Sequence, residues 1–166
     1  LHDALPILRG TVGTRLAKLD AGGYDAILLA CAGLDRLGLS GRIRSLLVAP
    51  DWLPAPGQAA IAIEARDDRP DVLELLRALD DVDTRLTVTA ERAMNHALGG
   101  SCSVPVGAWC MRTERGLHLR GLVGDPQGGS LLHAQADGPE QSPEALGRAV
   151  ADSLLAQGAA AFLGRH

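Results

Sequence analysis

The sequence predicts an α/β layer in its first part, followed by a small α+β domain with a three-stranded antiparallel sheet and helices. Up to about Pro50, helix signals alternate with a short apolar run of the kind found in doubly wound parallel sheets. After residue 80, three strand-like runs with short loops lie between two helical segments. The chain has 166 residues, of which 46% are hydrophobic and 22% charged. That is enough for one ordinary domain or two small ones with a real core.

The first section combines two helix signals with one strand signal. Thr11 or Thr14 is a candidate cap for a helix over residues 15–19. The apolar run 26–30 lies between turn residues and suits a strand that is buried on both faces. A second short helix is predicted at 34–37, between two glycines.

The segment 52–57 marks a change in the chain. Its two prolines and one glycine predict a rigid crossing between domains. Residues 1–57 contain six basic and five acidic residues, whereas the remainder contains 10 basic and 15 acidic residues. Beyond the crossing, the run 59–63 is a second candidate for a buried strand. Pro70 is typical of a first helical turn and predicts a helix through Leu79.

The last part predicts the order helix, three strands, helix. Asp83 is the expected cap of the first helix. Apolar residues recur along that helix at the spacing of one face: Leu86, Ala90, Ala93, Met94, Ala97 and Leu98. Strands are predicted at 104–111, 117–123 and 131–136, and their short loops favour an antiparallel meander. Ser142 and the Pro-Glu pair after it start the final helix.

Composition and charge argue against several classes of function. No apolar run approaches the roughly 18 residues needed to cross a bilayer, and no signal-peptide pattern opens the chain, so we expect a soluble cytoplasmic protein without a membrane partner. A formal charge of −4 and only four aromatic residues argue against a nucleic-acid partner. The three cysteines lack a C-x-x-C pair and the histidines are scattered, which predicts neither a disulfide framework nor a metal site.

Cys102 is the first candidate for chemistry. It lies in a glycine-rich turn between a helix end and a strand, where packing does not require a thiol. The alternative is a small apolar filler, which is the preferred interpretation for Cys31 and Cys110. A hydrolase nucleophile paired with His96 or His118 is disfavoured, because the sequence indicates neither a thiol–imidazole arrangement nor an oxyanion site.

Arg9, Arg15 and Arg36 are candidate anion-binding residues. Arg15 falls in the first turn of a helix that has no acidic residue there, which the helix dipole disfavours unless an anion is bound. Arg9 precedes a glycine, and Arg36 follows another glycine-bounded turn. Because 15 of the 16 basic residues are arginine, ordinary surface arginines are the alternative, and spacing alone favours that alternative.

Five segments in chain order resemble the porphobilinogen deaminase family, also called hydroxymethylbilane synthases, which are enzymes of tetrapyrrole and haem biosynthesis. Together they run from about residue 8 to the C-terminal part of the chain. They are the segments Leu8–Asp20, Tyr24–Gly38, Leu53–Gln58 and Thr89–Met94, and the Cys102 loop ending in Val104-Pro105. Each segment alone is a weak signal, but five of them in the family's order are not expected by chance.

The resemblance implies a transferase that condenses four porphobilinogen molecules head to tail, with loss of ammonia, into hydroxymethylbilane. Cys102 is implied to hold the dipyrromethane cofactor, which acts as the primer, through a thioether. Arg9, Arg15 and Arg36 are implied to bind the carboxylates of the cofactor and of the growing polypyrrole chain, to which guanidinium forks are suited. No catalytic acid is assigned in this chain, because the family's catalytic aspartate lies in an N-terminal portion that it lacks. No metal is implied.

The same resemblance implies a domain scheme. Residues 1–57 would form the C-terminal part of a doubly wound second domain with the hinge, 58–80 a returning segment of the first domain, and 81–166 the α+β domain that carries the cofactor. Residues 1–7 do not resemble the family. We therefore expect a fragment that is inactive alone, with a folded C-terminal module, a poorly ordered N-terminal half, and a monomeric state when the protein is complete.

A non-catalytic anion-binding module is the alternative function. It would use Arg9, Arg15 and Arg36 without covalent chemistry. The two hypotheses differ at Cys102, because only the enzyme requires its thiol.

Overall fold

The computed structural model describes residues 8–100 and 104–163. The chain divides into two compact units, one ending at Leu46 and the other beginning at Leu47. The domain scheme with boundaries at 57 and 80 remains a prediction.

The first unit is helical within the described residues. It contains α1 (Val12–Asp20), α2 (Cys31–Arg36) and a 3-10 turn at Ser40–Arg42. Thr11 is the cap of α1, because its side-chain oxygen accepts a hydrogen bond from the backbone N–H of Thr14 at 3.3 Å. The second helix begins three residues earlier than predicted.

The predicted strand at 26–30 does not form. Within the described part of this unit no other segment is a strand, so the run has no neighbour with which to form a ladder of hydrogen bonds. Leu28 in this run is 67% exposed, which also contradicts the expectation of a strand buried on both faces.

The second unit starts with an irregular segment and two helices. α3 (Pro70–Leu76) continues into a 3-10 turn at Arg77–Leu79, as the proline signal predicted. α4 (Val82–Ala97) is capped by Asp81 rather than by Asp83, because Asp81 Oδ1 accepts from the Thr84 N–H at 2.7 Å. The predicted strand at 59–63 is absent, because no described segment pairs with this run. Ile61 in the run is 86% exposed.

The predicted antiparallel meander is confirmed. Its strands are β1 (Val106–Thr113), β2 (Gly116–Gly124) and β3 (Leu131–Gly138), paired in the order β1-β2-β3. The final helix, α5 (Pro143–Ala156), follows Ser142 as predicted and leads to a 3-10 turn at Ala159–Ala161.

The core lies between one face of this sheet and helices α4 and α5. Its largest fully buried side chains are Met94, Leu117, Leu119, Val123, Val150 and Leu154. The two helices approach closely at Gly147 of α5, where an added Cβ would lie 2.3 Å from the Ala90 carbonyl oxygen and 2.7 Å from the Met94 nitrogen. None of the helices in the described ranges is long and apolar enough to cross a membrane.

Gly147→Ala should destabilise the second unit, although alanine is intrinsically the better helix former by about 1 kcal/mol. The new methyl group would press on the α4 backbone, which a side-chain rotation cannot relieve. We expect a loss of about 1–3 kcal/mol in the free energy of unfolding, measured by urea denaturation.

Ser153→Ala, on the exposed side of the same helix, is the control and should leave the urea midpoint unchanged or slightly raised. Equal midpoints for Gly147→Ala and the parent chain would contradict the close approach of α4 and α5.

Candidate functional site

The candidate arginines all lie in the first unit. Arg9 is exposed just before α1, and Arg36 is exposed in the last turn of α2. Arg15 is half-buried on α1, and its Nε donates to the Gly10 carbonyl oxygen at 2.8 Å. Among the described residues none of the three pairs with a carboxylate, whereas Arg42 in the same unit pairs with Asp20 at 2.5 Å.

The structure brings Arg9 and Arg15 to the N-terminal end of α1. Arg15 reaches back to Gly10, the residue after Arg9, and Lys18 Nζ donates to the Arg9 carbonyl oxygen at 3.2 Å. Gly10 has a φ of 122°, and a Cβ there would lie 3.0 Å from Thr14 Cβ, so this tight turn requires glycine. No described contact joins Arg36 to these residues.

The N-terminal ends of α1 and α2 lie next to each other. An added Cβ on Gly33, in the first turn of α2, would be 3.9 Å from Val12 Cγ2, in the first turn of α1. Neither first turn contains an acidic residue, so neither helix supplies a compensating charge to its own positive end. The space beside Gly13 is open for at least 4 Å. The N-terminal end of α1, with Arg9 and Arg15 beside it, is therefore the candidate site for an anion in this unit.

Cys102 lies outside the described residues. Cys31 and Cys110 are free thiols. Burial, with a smaller effect of the nearby Glu91 charge, raises the pKa of Cys110 to about 12, so its reactive thiolate is scarce at neutral pH. In the described ranges no group of three or more His, Cys, Asp or Glu side chains could hold a metal ion.

Glu91 on α4 is a functional candidate that the sequence interpretation missed. Among the described residues of the second unit it is the buried charged side chain, with 7% exposure. Oε2 accepts from the Gly57 N–H at 2.7 Å and Oε1 accepts from the Cys110 N–H at 2.8 Å. One carboxylate thus joins α4, the crossing segment 52–57 and strand β1. The sequence signal that could have indicated a buried Glu91 is the position of this acidic residue beside Ala90 and Met94, on the apolar face of the helix.

The same contacts protect the outer edge of β1, one of the two edges of the sheet. β1 pairs with β2 on one side only, so alternate N–H groups on its other side need acceptors. The Ala108 N–H donates to the Pro54 carbonyl oxygen at 2.8 Å, and the Cys110 N–H donates to Glu91. The crossing segment therefore covers this edge.

Burial raises the pKa of Glu91 above the ordinary value for glutamate, and the two backbone N–H donors act in the opposite direction. Desolvation is the larger effect, because the carboxylate has lost its water while both of its partners are neutral amides. The two hydrogen bonds therefore stabilise the buried carboxylate, but they do not fully compensate the free energy of removing it from water.

The comparisons with known proteins agree on one family. Residues 3–74 match the family model described as "Porphobilinogen deaminase, dipyromethane cofactor binding domain", and residues 85–156 match the one described as "Porphobilinogen deaminase, C-terminal domain". The first match includes Arg9, Arg15 and Arg36, and the second includes Glu91 and Cys102. Because the first match begins at residue 3, the expectation that residues 1–7 do not resemble the family is wrong for residues 3–7.

Curated relatives carry the same name. Porphobilinogen deaminases of Xanthomonas euvesicatoria pv. vesicatoria, Xanthomonas campestris pv. campestris and Stenotrophomonas maltophilia are 57%, 56% and 54% identical to this chain over 156 residues, or 94% of its length. The chain spans about half the length of these relatives, 51% to 52%. It belongs to the porphobilinogen deaminase family, as the resemblance of its five segments predicted.

Glu91→Gln should destabilise the second unit. An amide offers one acceptor oxygen, so either the Gly57 N–H or the Cys110 N–H would face an NH₂ group and lose its partner. We expect a loss of about 1–3 kcal/mol, the usual cost of an unsatisfied buried donor, in urea denaturation at neutral pH. Glu114→Gln, at an exposed position of the β1–β2 turn, is the matched control and should have no effect.

The effect of Glu91 on stability should also depend on pH. Because the pKa of Glu91 is raised in the folded chain, the stability that this shift contributes is fully present below the ordinary glutamate pKa, about 4.3. This contribution declines as pH rises through the higher pKa of the folded state. The stability difference between the parent chain and Glu91→Gln should therefore narrow as pH rises from about 4. If the difference in stability between the two chains widens as pH rises from about 4, burial does not raise the pKa of Glu91.

Cys110 should resist alkylation in the folded chain. Its raised pKa and burial both limit attack on iodoacetamide, so peptide mass spectrometry should find it unmodified until denaturant is added. Cys31, which is half-buried, is the internal comparison and should react sooner. Equal native rates at the two cysteines would contradict the burial of Cys110.

Proposed function

We propose that this chain is the C-terminal part of a porphobilinogen deaminase, the transferase that condenses four porphobilinogen molecules, with loss of ammonia, into hydroxymethylbilane. The observation that carries the proposal is the pair Arg9 and Arg15 near the N-terminal end of α1, neither of which pairs with a carboxylate among the described residues. This pair lies in the segment that matches a cofactor-binding domain of the family.

The charge of the first unit supports a polycarboxylate ligand. Residues 8–46 contain six basic and three acidic side chains. Each pyrrole of the dipyrromethane cofactor and of the growing polypyrrole chain bears an acetate and a propionate group. Guanidinium groups recognise such carboxylates by charge and by paired hydrogen bonds. Arg9 and Arg15 would hold them beside the helix ends, and Arg36 would bind a further carboxylate.

Cys102 is the proposed attachment point of the cofactor, through a thioether. Cys110 is poorly suited to this task, since it is buried and its pKa is raised. Dipyrromethane bound at Cys102 would supply the pyrrole terminus to which porphobilinogen units are joined. The role of this chain's residues is to anchor that group and neutralise its carboxylates.

The proposal includes the rest of the enzyme. Activity would require the N-terminal portion of the same protein, which contributes the catalytic aspartate in the family, and the assembled enzyme would be a cytoplasmic monomer. The chain alone would bind carboxylates without turning over substrate.

The test is the intact mass of the denatured chain after co-production with an N-terminal portion of a relative and exposure to porphobilinogen. We expect a covalent gain equal to two deaminated porphobilinogen units. Cys102→Ser should abolish the gain, while Cys31→Ser, the matched control, should retain it. The arginine arm compares Arg15→Gln with Arg44→Gln, an exposed arginine of the same unit, and only the former should lower the fraction loaded.

Two outcomes would count against the proposal. If the two portions assemble and no mass is gained, the covalent function is wrong and a non-catalytic anion-binding module explains the arginines better. If the gain persists in Cys102→Ser, another residue anchors the cofactor.

A further inference from the structure

A second polar cluster lies in the other unit, on the face of the sheet opposite α4 and α5. Residues of β2 alternate between the two faces. Leu117, Leu119 and Val123 are buried in the core, whereas His118 and Arg120 lie on the opposite side, which we term the open face.

Three side chains of the open face form a connected chain of hydrogen bonds. Arg120 Nε donates to His118 Nε2 at 3.2 Å, and His118 Nδ1 lies 2.8 Å from Asp137 Oδ1. Because a guanidinium only donates, Nε2 is the acceptor, and the imidazole proton is on Nδ1, which donates to Asp137. His118 thereby orients Arg120 without neutralising its charge.

Arg120 is half-buried and has no counter-ion in the part of the chain that the structure describes. No carboxylate of the described residues lies within ion-pair distance of its guanidinium, although six other arginines have such partners. Its two terminal nitrogens carry donors that the bond to His118 does not use. A partly desolvated cation with free donors is costly unless an anion accompanies it.

Arg120 also lines a cavity of about 330 Å³ on the open face. The strand register places Gln135 directly opposite Arg120, and His133 faces the next position along β2 on the same face. Arg120, His133 and Gln135 offer donors, the other lining residues supply an apolar wall, and the lining contains no acidic side chain. The complete lining is Pro50, Leu53, Arg120, Gly121, His133, Ala134 and Gln135.

We propose that this cavity binds a small oxyanion, a carboxylate or a phosphate, carried on a compact apolar body. Arg120 would hold the oxyanion with its terminal nitrogens, Gln135 and His133 would donate beside it, and Pro50 and Leu53 would contact the apolar part. The volume is at the lower end of the range for small-molecule sites. None of these residues belongs to the arginine and cysteine site proposed above, so the two proposals stand or fall separately.

The test is a titration of the isotope-labelled full chain at neutral pH and constant ionic strength, followed by NMR of the arginine Nε–Hε groups and the histidine rings. One arm uses inorganic phosphate and the other uses propionate, with chloride as the reference salt. We expect saturable shifts at Arg120 and His133 with at least one probe, and the arm that saturates identifies the oxyanion.

Arg120→Gln should weaken binding about tenfold or more, as expected when a charged partner of an anion is removed. Arg115→Gln, at an exposed turn position with no ion pair among the described residues, is the matched control and should leave binding unchanged. His133→Ala gives a second test at an exposed position if Arg120→Gln fails to fold. Shifts that do not saturate with either probe, or that survive both substitutions, would overturn the proposal.

Discussion

The carboxylate of Glu91 is the interaction on which the organisation of the second unit depends. It is buried among apolar side chains, yet it accepts hydrogen bonds from two backbone groups that are far apart in sequence, the Gly57 N–H and the Cys110 N–H. An apolar residue in its place would leave both donors without partners. The crossing segment, helix α4 and the free edge of β1 therefore meet at one charged group, whose solvation cost these bonds offset only in part.

This arrangement bears directly on the proposed chemistry. The segment containing Cys102 follows α4 and precedes β1, and Glu91 of α4 links these two elements through its hydrogen bond from the Cys110 N–H of β1. The same carboxylate holds Gly57, in the segment that follows the arginine-bearing unit along the chain. The elements that precede and follow the proposed attachment residue are therefore joined to each other by one buried carboxylate.

The sequence predicted the elements whose signals are local. The meander followed from three apolar runs with short loops, and α4 from apolar residues at helical spacing. The strand predictions for 26–30 and 59–63 are wrong. A strand requires a neighbouring strand to pair with, and within the described ranges neither run has one. Asp81 and Asp83 both precede the apolar repeat, so the sequence pattern fits either of them as the helix cap. Only the hydrogen bond from the Thr84 N–H to Asp81 shows which one it is. The partners of Glu91 are backbone groups brought near by tertiary folding, which residue types do not encode.

Amide hydrogen exchange in the parent chain and in Glu91→Gln tests the central role of this carboxylate most directly. The account predicts that at least one of the Gly57 and Cys110 amides loses protection in the variant, since the side-chain amide of glutamine has a single acceptor oxygen and can serve only one of the two donors. The Leu119 amide, which belongs to the ladder within the sheet, should keep its protection. Unchanged exchange at Gly57 and Cys110 would contradict the account, because the crossing segment and the edge of β1 would then be held by other contacts.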